Sequence, residues 1–375
     1  GAEEREKSAF SAAAESLSSS SIRVSALSAL LNPLTYAMLN LGIIAVLYFG
    51  GKTVYYGTLT QGEVIALINY MTQILNALVV FANLLVTFTK ASASAARINE
   101  VLAVSSSMTE GEGATADYSA PAIELSDVSF TYSSATSPSL EHISMTVNRG
   151  DSVGILGGTG SGKTTLVSLL PRLYDVESGS LRVFGNDVKT YTNAELASIF
   201  GVVPQKAVLF QGSVRDNMRW GKEDATDEEI RRALETAQAA EFVYTLPGGL
   251  DYQIAQDGKN LSGGQRQRLT IARALVSAPD ILILDDSSSA LDFATDAALR
   301  KALHSLSGNV TTFLVSQRAA SIRQADLILV LNDGELVGKG IHDDLIRSCE
   351  IYRAIYFSQF PEERAKYDSS KTAVS

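Results

Sequence analysis

The chain has 375 residues, 46% hydrophobic and 19% charged, with 31 basic against 41 acidic side chains and a formal charge of -10. That length accommodates two domains. The apolar share points to a part that is not water-soluble, and the acidic balance argues against a nucleic-acid binder, which carries a basic excess on one face. A single cysteine, Cys349, excludes an intramolecular disulfide framework and a cysteine metal cluster and suits a reducing compartment.

The text opens "GAEEREKSAF", with no initiator Met and no charged-then-apolar leader pattern, as expected of an excerpt from a longer protein. Two uncharged stretches follow, Ala26 to Phe49 and Val64 to Phe88. Each matches the roughly 20 apolar residues that cross a bilayer as a helix. "GGKTVYYGTLTQGE" between them has the glycines and aromatics of a turn at the membrane surface. Arg5, Lys7, Arg23, Lys90 and Arg97 flank the pair outside, against Lys52 in the loop. By the positive-inside tendency both ends face the cytoplasm, so the expected element is a helical hairpin in the cell membrane. Asn32, Asn40, Asn69, Gln73, Asn76 and Asn83 within it are placed to face other helices or a watery path.

"SSSMTEGEGATADYSAP" reads as a linker. From Ile123, short β-branched runs alternate with helical patterns, the mark of an α/β domain with a largely parallel core sheet. "GGTGSGKTT" (Gly157, Gly158, Thr159, Gly160, Ser161, Gly162, Lys163, Thr164, Thr165) follows the apolar run "SVGIL" and precedes "LVSLL". It satisfies the phosphate-loop pattern in a strand–loop–helix setting. Glycines let backbone amides turn inward onto phosphate. Lys163 is placed for the β- and γ-phosphates of ATP and Thr164 for Mg2+. "ILILD" downstream reads as a buried strand presenting Asp285 to the same ion. These elements predict a P-loop NTPase without saying which kind.

"LSGGQRQR" narrows the choice. With Leu261, Ser262, Gly263, Gly264 and Gln265 opening a helix, the sequence resembles the ATP-binding cassette (ABC) family, over nearly the whole chain. The fold implied is an α-helical transmembrane hairpin, the last two spans of an ABC exporter membrane domain, followed by an α/β P-loop NTPase cassette with a helical subdomain. Expected limits are 1–105 for the membrane part, 106–121 for the linker, 122–358 for the nucleotide-binding domain and 359–375 for a polar tail. The resemblance further implies that Ser262 and its neighbours act in trans on the γ-phosphate held by a partner's P-loop. It assigns Tyr132 to adenine stacking, Gln205 to the metal and to coupling with the membrane part, and Ser289, Ala290, Leu291 and Asp292 to the dimer seam.

Two positions depart from the family pattern. After the Walker B aspartate, complete members carry glutamate as general base, whereas this chain carries Asp286. One methylene fewer withdraws the carboxylate by about 1.5 Å, and a base must reach its water. In the switch region "FLVSQRAAS", Gln317 holds the place of a histidine. An amide donates a hydrogen bond but cannot carry a proton as imidazole does. A milder departure is "IAQDGKN", with Gln256 and Asp257 where many exporters have glycine–glutamate–arginine. His142 and His304 match no catalytic position, and His342 belongs to a later structural motif. Asp286 and Gln317 fall on one composite site, while the signature loop is intact. The expected protein is thus one subunit of a heterodimeric exporter of an unidentified substrate, paired with a different half-transporter and holding a degenerate ATP site. The alternatives are a slow homodimeric exporter using Asp286 and, from another class, an ATP-gated channel.

Overall fold

The computed structural model describes residues 2–106, 108–287, 290–305, 310–364 and 367, with only the backbone at residues 2, 3, 24, 27, 28, 31 and 32. The chain divides into two compact units, Gly1–Ser106 and Ser107–Ser375.

The first unit is two long helices, α1 (Ala2–Tyr55) and α2 (Gln61–Leu102). Both run past the uncharged stretches, because a helix held by its own backbone bonds need not stop where apolar sequence does. The turn shrinks to residues 56–60. Gly57 takes a left-handed φ of +78°, and Thr60 and Glu63 close a reciprocal capping box on α2. The helices meet through small residues: a Cβ on Gly50 would lie 2.9 Å from a Val64 methyl, and one on Gly42 would lie 3.5 Å from the Met71 sulfur. Pro33–Tyr55 and α2 are apolar enough to cross a membrane, with mean hydropathies of 1.6 and 1.8 and only 6% of each most apolar window buried. The low burial separates them from core helices of a soluble domain. Asn40, Asn69, Gln73, Asn76 and Asn83 are exposed on this helix pair. The side chain of Asn32 lies outside the described residues.

The second unit begins with an antiparallel sheet. β1 (Ile123–Phe130) lies between β2 (Leu140–Val147) and β4 (Ser178–Val183), with the short β5 (Asn186–Asp187) beyond β4. Between β2 and β4 in the chain come β3 (Ser152–Leu156) and α3 (Lys163–Leu169). α4 (Asn193–Ile199) and β6 (Phe200–Val203) follow. The helical subdomain then runs through β7 (Gly212–Ser213), α5 (Val214–Arg219), α6 (Asp227–Thr236), α7 (Ala240–Thr245), β8 (Gln253–Ile254) and α8 (Gly263–Val276). The last part carries β9 (Ile281–Asp285), α9 (Phe293–His304), β10 (Thr311–Val315), α10 (Ala319–Ile322), β11 (Leu327–Asn332), β12 (Glu335–Gly340), α11 (His342–Ser348) and α12 (Glu350–Gln359).

The core sheet has the order β12-β11-β3-β10-β9-β6, parallel except for β12. Its central strands are continuous apolar runs because both faces are covered. β10 lies between β3 and β9, so the loops leaving these three strands converge at one carboxyl edge, the usual place for a ligand in such a sheet.

The packing behind that edge is tight. A Cβ on Gly154 in β3 would stand 2.6 Å from the Ile322 Cβ of α10. Gly154→Val is therefore expected to lower stability by about 1–3 kcal/mol through overpacking, read as an earlier thermal unfolding midpoint with no loss of secondary structure before it.

The stretch expected as a linker has little regular structure, yet much of it is laid on the cassette. The Thr109 carbonyl accepts from buried Arg172 at 2.8 Å, and Gly113 N–H donates to the Thr190 carbonyl at 3.0 Å. Tyr118 OH bonds Asp280 at 3.1 Å, and the Arg149 guanidinium stands 4.7 Å from the Tyr118 ring centre. The expected polar tail likewise begins anchored: Glu363 pairs with Arg323 at 3.1 Å and accepts from Tyr356 OH at 2.6 Å. Composition alone hid both, since polar residues satisfied by distant partners look like polar residues in water.

Candidate nucleotide site

The phosphate loop leaves β3 at Gly157 and enters α3 at Lys163. Gly160 and Gly162 take left-handed φ of +81° and +93°. A Cβ on Gly162 would also meet the Ser139 carbonyl at 2.7 Å, so glycine is required there twice over. Gly158, Thr159 and Gly160 are exposed, and a Cβ on Gly158 or Gly160 would meet open space. Ser161 is buried, with its hydroxyl on the Gly158 carbonyl at 3.0 Å.

Lys163 is 9% exposed. Its ammonium donates to the Gly157 carbonyl at 2.9 Å and also to that of Gly158. Burial pulls its pKa down, opposed by the nearby carboxylates of Asp285 and Asp286. Thr164 Oγ1 donates to Asp285 Oδ2 at 2.9 Å, which unites two of the three predicted magnesium residues across the loop and β9. Burial raises the Asp285 pKa, opposed by the Thr164 hydroxyl. Among the described residues no three His, Cys, Asp or Glu side chains form a metal cage. Magnesium does not need one: it takes one or two protein oxygens and fills the rest with water and phosphate. A hydroxyl and a buried carboxylate fit that habit. Thr165, the last residue of the motif, is buried, and Tyr132 OH donates to its hydroxyl at 3.3 Å. The Tyr132 ring stands edge-on to Phe130 and Tyr174, at 4.9 and 5.3 Å.

Asp286 and Gln317 follow neighbouring strands, β9 and β10. Val315 pairs with Asp285 in the parallel register, and Asp286 N–H donates to the Val315 carbonyl at 3.0 Å. Asp286 has a φ of +44°, a conformation that aspartate tolerates better than most residues. Gln317 follows on the exposed loop after β10. The sequence reading left out Gln359, whose side chain bonds the backbone on both sides of Arg318. Its place near the start of the expected tail concealed it.

Gln205 lies elsewhere. It lines a cavity of about 490 Å³ with Asp257, Gly263, Gln267 and Ala290, beside the start of α8. Asp257 is left-handed (φ +58°) in the short turn Gln256–Gly258, so the divergent "IAQDGKN" shapes this cavity.

The signature loop opens α8 at the surface. Leu261 is buried as its anchor, while Ser262 and Gly263 are exposed. Ser262 Oγ accepts from Gln265 N–H at 3.3 Å, and Gln265 Oε1 accepts from Ser262 N–H at 2.9 Å. This capping box holds the first turn of α8 rigid. A Cβ on Gly264 would lie 3.2 Å from the Ala290 carbonyl, so the signature and the expected seam segment touch within one chain. Leu291 is buried, and Asp292 caps α9 by accepting from Thr295 N–H at 2.9 Å. Ser289 lies outside the described residues. The histidines sit in other settings: exposed His142 bonds Asp127 at 2.7 Å, His304 ends α9, and His342 Nδ1 bonds Tyr352 OH at 2.8 Å.

Residues 140–289 match the family model of the ABC transporter, and residues 1–78 match that of the ABC transporter transmembrane region. The chain is 41% identical over 331 residues to the uncharacterized ABC transporter ATP-binding protein YfiB of Bacillus subtilis, covering 88% of this chain and 57% of that protein. It is 36% identical to the probable multidrug resistance ABC transporter ATP-binding/permease protein YheI of the same organism, over 90% of this chain and 58% of the relative. To the ATP-dependent lipid A-core flippase of Vibrio vulnificus it is 34% identical, over 96% and 62%. The solved structure of a bacterial Atm1-family ABC exporter with ATP bound superposes with a TM-score of 0.82 at 29% identity, over 96% of this chain and 63% of that one. The chain thus spans about three fifths of the length of these relatives. With the transmembrane-region model matched ahead of the cassette model, and the two together covering more than half of its residues, this chain belongs to the ABC transporters and shares the fold of the solved exporter.

Proposed function

We propose that the chain is part of one subunit of a heterodimeric ATP-driven exporter in the cell membrane, with its cassette in the cytoplasm. Its own P-loop holds Mg-ATP and turns it over slowly, while its signature loop completes the hydrolytic site on a different partner subunit. Lys163 and the loop amides hold the phosphates, Thr164 and Asp285 hold magnesium with Gln205 approaching from its cavity, and Tyr132 stacks on adenine. ATP binding clamps two cassettes together and hydrolysis releases them, driving the membrane helices between inward and outward openings. The transported molecule is of the amphipathic class suggested by relatives described as a lipid A-core flippase and a probable multidrug resistance transporter.

One observation carries the degenerate-site reading. The two residues that depart from the family pattern at its catalytic positions, Asp286 and Gln317, follow adjacent strands, with Asp286 N–H bonded to the Val315 carbonyl, which supports assigning both losses to one nucleotide. The test is a pair of substitutions in the full-length dimer. Replacing the partner's Walker B glutamate by glutamine is expected to abolish turnover, and Asp286→Asn is expected to change it less than about twofold. Loss of turnover in Asp286→Asn would refute the reading in favour of a homodimer with an aspartate base.

A further inference from the structure

The loop after β10 is held from behind by a side chain remote in sequence. Gln359, the last residue of α12, accepts from Ala319 N–H through Oε1 at 2.9 Å and donates from Nε2 to the Gln317 carbonyl at 2.8 Å. The two bonds grip the backbone on both sides of Arg318. The grip is directional: a reversed amide would oppose donor to donor and acceptor to acceptor. A carboxylate at this position keeps the first bond but has no hydrogen for the second.

α12 is well braced to act as the fixed end. Tyr352, Tyr356 and Phe357 pack in one buried cluster with Ala319 and Ile322 of α10 and with Leu156, the residue immediately before the phosphate loop. Tyr352 OH bonds His342 at 2.8 Å, and Tyr356 OH donates to Glu363, which pairs with Arg323 just after α10. The residue-317 loop has restraints of its own, among them Ser321 N–H on the Arg318 carbonyl at 3.1 Å. Ser316 N–H reaches the Ile155 carbonyl at 3.1 Å and Arg318 N–H the Ser316 hydroxyl at 3.0 Å, while the Gln317 side chain is exposed.

We infer that Gln359 is a positioning residue for the nucleotide site: through the Gln317 carbonyl, α12 sets where the residue-317 side chain meets the bound nucleotide. This rests on residue 317 occupying the switch position proposed above. Gln317 has only an amide to offer, a short-range hydrogen bond that weakens steeply once its distance and angle are lost.

The experiment is an ATP-release assay on the full-length dimer with the partner site silenced, chasing labelled Mg-ATP from this chain's site. Gln317→Ala and Gln359→Ala are each expected to speed release about tenfold, and the double variant no further, as for two residues acting through one contact. Gln359→Glu guards against a folding defect. It should keep the Ala319 amide protected from hydrogen exchange while releasing ATP as fast as Gln359→Ala. If Gln317→Ala speeds release and Gln359→Ala does not, or if their effects multiply, the inference is overturned and the site reading stands. If Gln317→Ala has no effect, the reading of residue 317 falls and the inference with it.

Discussion

Asp286→Glu combined with Gln317→His is expected to raise ATP turnover at this chain's own site by about a hundredfold, measured in a full-length dimer whose partner site has been silenced. The added methylene returns about 1.5 Å of reach to the carboxylate, and a base misplaced by about 1 Å loses on the order of a hundredfold. The backbone already brings the two positions together, because Asp286 N–H is fixed to the Val315 carbonyl two residues before Gln317. Neither change enters the core: Asp286 is half-buried and Gln317 exposed. Each single variant should recover only part of the gain, since base and switch serve one transition state. A gain below about threefold in the double variant would mean that aspartate already suffices, as in a homodimer that hydrolyses ATP unaided.

Gly263→Asp is expected to reduce turnover at the partner's site by at least about a hundredfold while leaving ATP binding at this chain's P-loop unchanged. A Cβ at Gly263 meets nothing within 4 Å, so the substitution fits the fold. Aspartate in the first turn of α8, a helix of 14 residues, also suits the helix dipole. The harm is electrostatic. A carboxylate about 5 Å from a γ-phosphate is repelled by about 3 kcal/mol per unit charge at an effective dielectric constant near 20, which corresponds to roughly a hundredfold in affinity or rate. Separate measurements of ATP binding to this chain and of turnover by the dimer check both halves. Equal loss of both would mean that the signature loop acts on its own chain's nucleotide.

Much of the site was legible in the sequence because its chemistry is local. The glycines of the phosphate loop, the lysine and threonine that follow and the serine that caps α8 do their work within a few residues of one another. The apolar run "ILILD" reads as a buried strand, and β9 is one. The two membrane-type helices were equally plain, because a bilayer demands about 20 apolar residues in a row. Their full lengths were not, since a helix continues on backbone bonds after its apolar face has ended.

Other features depended on distance in the chain. That Thr164 meets Asp285, 121 residues away, follows from β10 standing between β3 and β9. The residues after 106, polar and rich in Gly and Ser, carry the composition of a free linker, yet Arg172 and Asp280 hold them to the cassette. Gln205 matches a metal-contacting glutamine, and the fold sets it at a cavity beside α8. Gln359 resembles the start of a tail, and only the return of α12 onto α10 turns it into a brace for Gln317. The sequence by itself determined the membrane helices, the nucleotide chemistry and the two residues, Asp286 and Gln317, that depart from the pattern at its catalytic positions, because each is written in side-chain type and short spacing. Tertiary structure alone decided which of these residues share one site and what braces them, because strand order and helix packing bring together groups that no local pattern connects.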